Sequence, residues 1–175
     1  MNHVLVIAAF LFSLNTFAAD EKNEYFYGQA RIINLNAPLQ SDAAPMLLLK
    51  KTTIPNKSLI VETATTLDRE GVMKDHIVYA KVSGQTLTLS DADDSIEGTG
   101  SVSGEEWNWN LLTFSMVTKK GGIRIEDVNY RTPDRLIARK VLSMPSGKPF
   151  MLWDIEAKEI TESDYKKIYS EMYGR

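Results

Sequence analysis

Short runs in which apolar and polar residues alternate are the main pattern of this chain. Leu87 and Leu89 alternate with Thr86 and Thr88, for example. A period of two predicts a β-strand with one buried face. Runs of this kind recur at short, even spacing and predict ten strands: 25–34, 46–53, 58–67, 72–82, 85–90, 95–103, 106–118, 122–130, 135–144 and 149–155.

Turn-forming residues separate these runs, as in Ser83-Gly84, Gly121-Gly122 and Pro133-Asp134. Hairpin-length connections predict antiparallel neighbours, and only residues 35–45 form a long predicted loop. An open sheet of ten strands leaves edges that must be hidden, and closure removes them. We therefore expect an all-β fold: a single up-and-down antiparallel β-barrel of about ten strands.

The pattern changes within the 106–118 run and after residue 160. Trp107, Trp109 and Leu111 share one predicted face, but the next apolar residues share the other, which indicates a bulge near Leu111 or a strand covered on both sides. From Thr161 the apolar period becomes helical, with Tyr165, Ile168, Tyr169 and Met172 on one face. Thr161 is the expected N-cap of this C-terminal helix.

The N-terminal segment has the organisation of a secretory signal. An apolar run over residues 4–14 is too short to span a bilayer, and small residues at Thr16 and Ala18 suit signal peptidase. We expect residues 1–18 to be a signal peptide and residues 19–175 to be one barrel domain with a C-terminal helix. The expected location is the periplasm or the medium, and no later segment predicts a transmembrane span.

Composition excludes several function classes. The chain has no cysteine, which removes disulfides, thiolate metal sites and cysteine nucleophiles. Its net charge is −3, with both signs mixed along the chain, so no basic surface for nucleic acid is expected. We predict no cofactor.

Two segments and the barrel pattern together resemble a known group of proteins. The segments are residues 98–109, which read GTGSVSGEEWNW, and the ending ITESDY at 160–165. With the strands and terminal helix over 25–173, the chain resembles the lipocalin and fatty-acid-binding-like (calycin-type) barrels, especially small exported bacterial lipocalin-like proteins of unassigned function. The resemblance implies a barrel that carries a small apolar or amphipathic molecule.

Aromatic pairs two residues apart are the candidate ligand-binding residues. On regular strands Tyr25 and Tyr27 share a face, as do Trp107 and Trp109. If these faces are interior, they line a cavity, with cationic side chains available to receive an acidic head group. The candidate site is therefore Tyr25, Tyr27, Trp107, Trp109, Arg124 and Arg139, with Arg31 as a further cation. The alternative is that these aromatic side chains fill a solid core. Separately, we expect Trp153 and Met151 to pack against the terminal helix.

Metal and catalytic sites receive little support from the sequence. Four carboxylates lie within residues 91–97, but without EF-hand spacing, and an acidic turn explains them equally well. We predict no metal ligands and no catalytic residues. Three hypotheses remain, in this order: a ligand-binding barrel, a solid envelope protein acting through protein contacts, and an enzyme using interior residues such as His76, Glu126, Asp127 or Tyr130.

Overall fold

A computed structural model describes residues 21–36, 45–67 and 73–174 of the chain. Its strands are β1 (Lys22–Asn34), β2 (Met46–Ile54), β3 (Leu59–Leu67), β4 (Met73–Ser83), β5 (Thr86–Asp91), β6 (Ile96–Glu105), β7 (Asn108–Thr118), β8 (Arg124–Arg131), β9 (Arg135–Ser143) and β10 (Pro149–Ile160). A 3-10 turn, Pro55–Lys57, joins β2 to β3, and helix α1 (Glu162–Tyr173) follows β10.

The ten strands form a closed antiparallel barrel in sequence order. Each strand pairs with its neighbours along the chain, and β1 closes the barrel by pairing with both β2 and β10. In the closing pair Ala30 lies opposite Ile155. This confirms the predicted all-β, up-and-down fold with a C-terminal helix.

Alternation decides which side chains face the interior. In β5, Leu87 and Leu89 point inward and are buried, while the threonines between them are exposed. The opposing inward positions on β6 are Gly98 and Gly100. A Cβ at Gly98 would lie 2.8 Å from the Cα of Met116 on β7, so glycine allows these strands to approach closely.

A bulge interrupts the β6–β7 ladder close to where the sequence predicts one. The register shifts between Ser103 and Gly104, which pair with Leu111 and Trp109 and leave one extra residue on β7. Trp109 consequently faces inward and Leu111 outward. The predicted strand 106–118 differs at its start, because Trp107 lies in the turn before β7 with a φ of 61°.

Helix α1 packs on the outside of the barrel. The Thr161 hydroxyl accepts a hydrogen bond from the Asp164 amide at 3.1 Å, as expected of the N-cap. Met172 is buried against Leu48 and Leu67 of β2 and β3. The other predicted helix-face residues, Tyr165, Ile168 and Tyr169, join the same cluster. Within the described ranges, no helix has the length and apolar character needed to cross a bilayer.

Three sequence predictions lie outside the described residues. They are the signal peptide with its cleavage after Ala18, most of the 35–45 loop, and the connection between the predicted strands 58–67 and 72–82.

Candidate functional site

The barrel interior contains a cavity of about 50 Å³. One part of its wall is apolar and comprises Phe26, Ile60, Val78, Ala80, Leu89, Leu112, Phe114, Met116 and Leu136. The other part is polar or charged and comprises Lys51, Glu62, Asp127, Asn129, Arg131 and Lys140.

The polar wall comes from inward positions on strands that lie apart in the sequence. Asp127, Asn129 and Arg131 occupy alternate positions of β8, so all three point inward. Lys140 is the direct cross-strand partner of Asp127 on β9, and Lys51 of β2 is the partner of Glu62 on β3. The barrel therefore brings charges from β2, β3, β8 and β9 to one cavity.

Asp127 and Lys140 form an ion pair inside the barrel. Lys140 Nζ lies 2.9 Å from Asp127 Oδ2, and the Asp127 side chain is only 2% exposed. Burial lowers the pKa of Lys140, but the attraction of Asp127 and Glu62 outweighs it, and the net effect is a raised pKa. The second oxygen, Asp127 Oδ1, is buried and has no hydrogen-bond partner among the described residues.

Glu62 is the second carboxyl group that lines the cavity. It forms no salt bridge with any residue in the described ranges. Burial raises the pKa of the Glu62 carboxyl, and the nearby Asp127 charge acts in the same direction, whereas Lys140 and Lys51 oppose it. Glu62 therefore holds a proton more readily than an exposed glutamate.

A second charged group lies beside the cavity, around Glu24. This buried carboxylate lies 3.3 Å from Lys22 Nζ and 3.8 Å from Lys51 Nζ, and it also pairs with Arg131. Arg131 reaches Glu159 at 3.4 Å as well. Burial lowers the pKa of Lys51, although Glu24 and Glu62 oppose this. Each cation of this group thus already contacts a carboxylate, and all three share Glu24.

The cavity volume limits what the barrel can hold. A water molecule needs roughly 10–15 Å³ in a cavity, so about 50 Å³ accommodates about four water-sized groups. Pockets for drug-sized ligands measure about 300–1,000 Å³. This cavity is therefore much smaller than a pocket for a drug-sized ligand.

Four of the six predicted site residues lie on the outer face. Tyr25 and Tyr27 contact the terminal helix, and the rings of Tyr25 and Tyr165 are 5.0 Å apart. Arg124 is exposed, and Arg139 binds Asp154 at 3.2 Å on the outside. The expectation that these four residues line the interior does not hold, because each occupies the outward phase of its strand.

The two tryptophans are close together but do not line the cavity. Their ring centroids are 5.0 Å apart, and Trp109 is buried in the larger apolar cluster, with Trp107 packed against it. Trp153 differs from the sequence expectation. It packs against Ala30 and Ile155 in the interior, and not against the helix.

The acidic segment 91–97 forms a turn. The Asp91 carboxylate accepts hydrogen bonds from the Ser95 amide at 2.6 Å and the Ile96 amide at 3.1 Å, while Asp94 pairs with Lys119. His76, on β4 opposite Ala64 of β3, is exposed. In the part of the chain that the structure describes, no three histidine, aspartate or glutamate side chains are grouped to hold a metal ion.

Sequence reasoning missed Lys51, Glu62 and Lys140. The sequence does contain a signal for two of them, which is their position in the alternation. Lys51 lies two residues after Leu49, and Lys140 lies two residues after Ala138, so each lysine is on the same strand face as a buried apolar residue. For Asp127 the sequence suggests only a possible catalytic role.

Comparison with known proteins gives no match to a family model, a curated protein or a solved structure. The fold itself defines the class. The chain is a closed ten-stranded antiparallel β-barrel with a C-terminal helix, compatible with a calycin-like fold.

Proposed function

We propose that this protein is an exported barrel that binds a small amphipathic molecule in its interior. The observation that supports the proposal is a cavity with one apolar wall and one polar wall. The polar wall contains the Asp127 carboxylate, whose Oδ1 atom has no hydrogen-bond partner among the described residues. Apolar pockets with a few convergent polar groups are typical of ligand sites. The resemblance to calycin-type carriers supports the same function.

The cavity volume sets the size of the proposed ligand. Space for about four water-sized groups suits a polar head with a chain of roughly three or four carbons. Long-chain fatty acids exceed this space, so they are poor candidates for the barrel in this conformation.

Methionine methyl groups provide a direct test. Met116 lines the cavity, whereas Met144 lies in the β9–β10 turn and is 42% exposed. In protein labelled with ¹³C at methionine methyls, short amphiphiles with chains of about three or four carbons should shift the Met116 signal in a saturable way and leave Met144 unchanged. A panel that shifts neither signal would count against a ligand-binding barrel.

Export is proposed on the N-terminal pattern alone. Cleavage after Ala18 predicts a mature chain that begins at Ala19. Intact mass of the protein recovered from the periplasm or medium tests this, and a cell-free sample that retains residues 1–18 would contradict it.

The second candidate is a solid barrel that acts through protein contacts, favoured by an apolar patch on the outer face. Tyr130 on β8 lies directly opposite Ile137 on β9, and these residues are 48% and 42% exposed. Val128 extends the patch and is 47% exposed. If copies of the chain associate through this patch, sedimentation velocity should show concentration-dependent association that a Tyr130→Ser, Ile137→Ser variant lacks.

A further inference from the structure

We propose that the cavity is selective for a primary ammonium group, which Glu62 and Asp127 bind while a short alkyl chain occupies the apolar wall. This inference rests on the proposed ligand-binding function and specifies its ligand class as small aliphatic amines. The sequence instead predicts a ligand with an acidic head group, bound by Arg124 or Arg139. Both of these arginines lie on the outer face of the barrel.

The distribution of partners among the interior charges carries the inference. Lys140 binds Asp127 Oδ2, Lys51 lies beside Glu24, and Arg131 pairs with Glu24. All three cations of the polar wall therefore already have carboxylate partners.

The groups that lack partners are acceptors. Among the described residues, Asp127 Oδ1 is buried without a hydrogen-bond donor and Glu62 forms no ion pair. A buried acceptor without a donor is costly, and an ammonium group carries three donors with no acceptor. An ammonium group would thus satisfy both carboxyl groups without disturbing an existing pair.

An acidic ligand would bind less favourably than an amine, because of the charges that already surround the cavity. The polar wall and the group around Glu24 contain four cations, Lys22, Lys51, Arg131 and Lys140, and four carboxyl groups, Glu24, Glu62, Asp127 and Glu159. A carboxylate ligand would have to share a cation with the carboxylate that already pairs with it. It would also bring a further negative charge beside Glu62 and Asp127, and burying like charges together is unfavourable.

Binding should be linked to proton release. Around Glu62 stand Lys51 from β2, His76 from β4, Asp127 from β8 and Lys140 from β9. Burial raises the pKa of Glu62, so in the empty cavity its carboxyl retains a proton more readily. An entering ammonium group replaces that proton with its own positive charge, and the affinity should increase as pH rises toward neutrality.

Three probes with the same four-carbon chain test the head-group selectivity: butylammonium, butanoate and butan-1-ol. Each is titrated into the purified protein by calorimetry, with the Met116 methyl signal as an independent reporter. We expect butylammonium to bind at least tenfold more tightly than butanoate, and more tightly at pH 8 than at pH 5. The titration is repeated in two buffers that differ in ionisation enthalpy. Because the buffer takes up the released proton, the apparent binding enthalpy should differ between the two buffers.

Variants assign the selectivity to the carboxyl groups. Glu62→Gln should weaken butylammonium binding at least tenfold. Glu126→Gln is the control, because Glu126 occupies the outer face next to Asp127 in the sequence and should leave binding unchanged. If Glu62→Gln does not fold, the pH dependence and buffer dependence of the wild type decide the question.

The outcomes separate this inference from the proposed function. Butanoate or butan-1-ol binding as tightly as butylammonium, or affinity that increases toward acid, would overturn the amine assignment and leave a ligand-binding barrel. If none of the three probes binds or shifts Met116, and longer or differently shaped amphiphiles also fail, both proposals are wrong.

Discussion

Lys140 Nζ lies 2.9 Å from Oδ2 of Asp127, its direct partner on the neighbouring strand, inside the barrel. The pair is asymmetric, because the Asp127 side chain is 2% exposed and that of Lys140 is 27% exposed. Removing one member leaves the other charge with little compensation. We expect Lys140→Met to lower the free energy of unfolding by about 2–4 kcal/mol, toward the lower end of the range for buried pairs because water reaches the lysine.

The double variant Asp127→Leu, Lys140→Met provides the control for this prediction. Replacing both charges by apolar side chains of similar size leaves no buried charge uncompensated, and such replacements are often neutral or stabilising. Urea denaturation of the two variants should therefore show most of the stability recovered in the double variant. Additive losses would contradict a direct pair.

The terminal helix should contribute to stability through Met172. This side chain is 3% exposed and packs against Leu48 and Leu67. Met172→Ala should cost about 2–5 kcal/mol, and deleting residues 161–175 should cost several kcal/mol because the apolar surface beneath becomes exposed. The exposed neighbour Glu171 is the control, since Glu171→Ala should stay within about 0.5 kcal/mol. An unchanged melting temperature on truncation would show that the helix does not dock.

The strands and the helix could be predicted because their signals are local. Alternation and turn residues locate all ten strands to within a few residues at most ends, and the change to a helical period locates α1. β10 is the exception, since it continues to Ile160 beyond the predicted end at 155. Its last residues contact α1 and β1, and this tertiary support is invisible in a local pattern.

The site could not be predicted because both faces of some strands are covered. Tyr25 and Tyr27 are aromatic residues at outward positions, where α1 covers them, so an apolar face of β1 does not identify the interior. The true interior face of β1 begins with a charged residue, Glu24, whose partners come from β2 and β8. The pairing with Arg131 of β8 depends on barrel closure, which no single segment encodes.

Gly98 should tolerate no side chain. A Cβ there would meet the backbone of β7 at Ser115 and Met116, which cannot move without disturbing the ladder. We expect Gly98→Ala to destabilise the protein by about 1–3 kcal/mol through overpacking. Thr99→Ala, at the exposed neighbouring position, should change stability by less than about 0.5 kcal/mol. Equal effects of the two substitutions in thermal unfolding would show that β6 and β7 are not so closely apposed.

Glu62 should make stability depend on pH in a defined direction. Burial raises its pKa above the ordinary value of 4.5, so the folded chain binds this proton more tightly than the unfolded chain. The stabilising contribution of that proton is complete below pH 4.5, is lost as pH rises through the folded-state pKa, and stays lost above it. Glu62→Gln cannot lose a proton. The melting temperature of this variant relative to wild type should therefore increase from acid toward neutral pH. The increase should be about 2–4 °C for each kcal/mol of stability that the wild type loses over the same pH range. Glu126→Gln on the outer face should show no such trend, and a Glu62→Gln difference that is constant with pH, or largest in acid, would mean that the Glu62 carboxyl is not shifted upward.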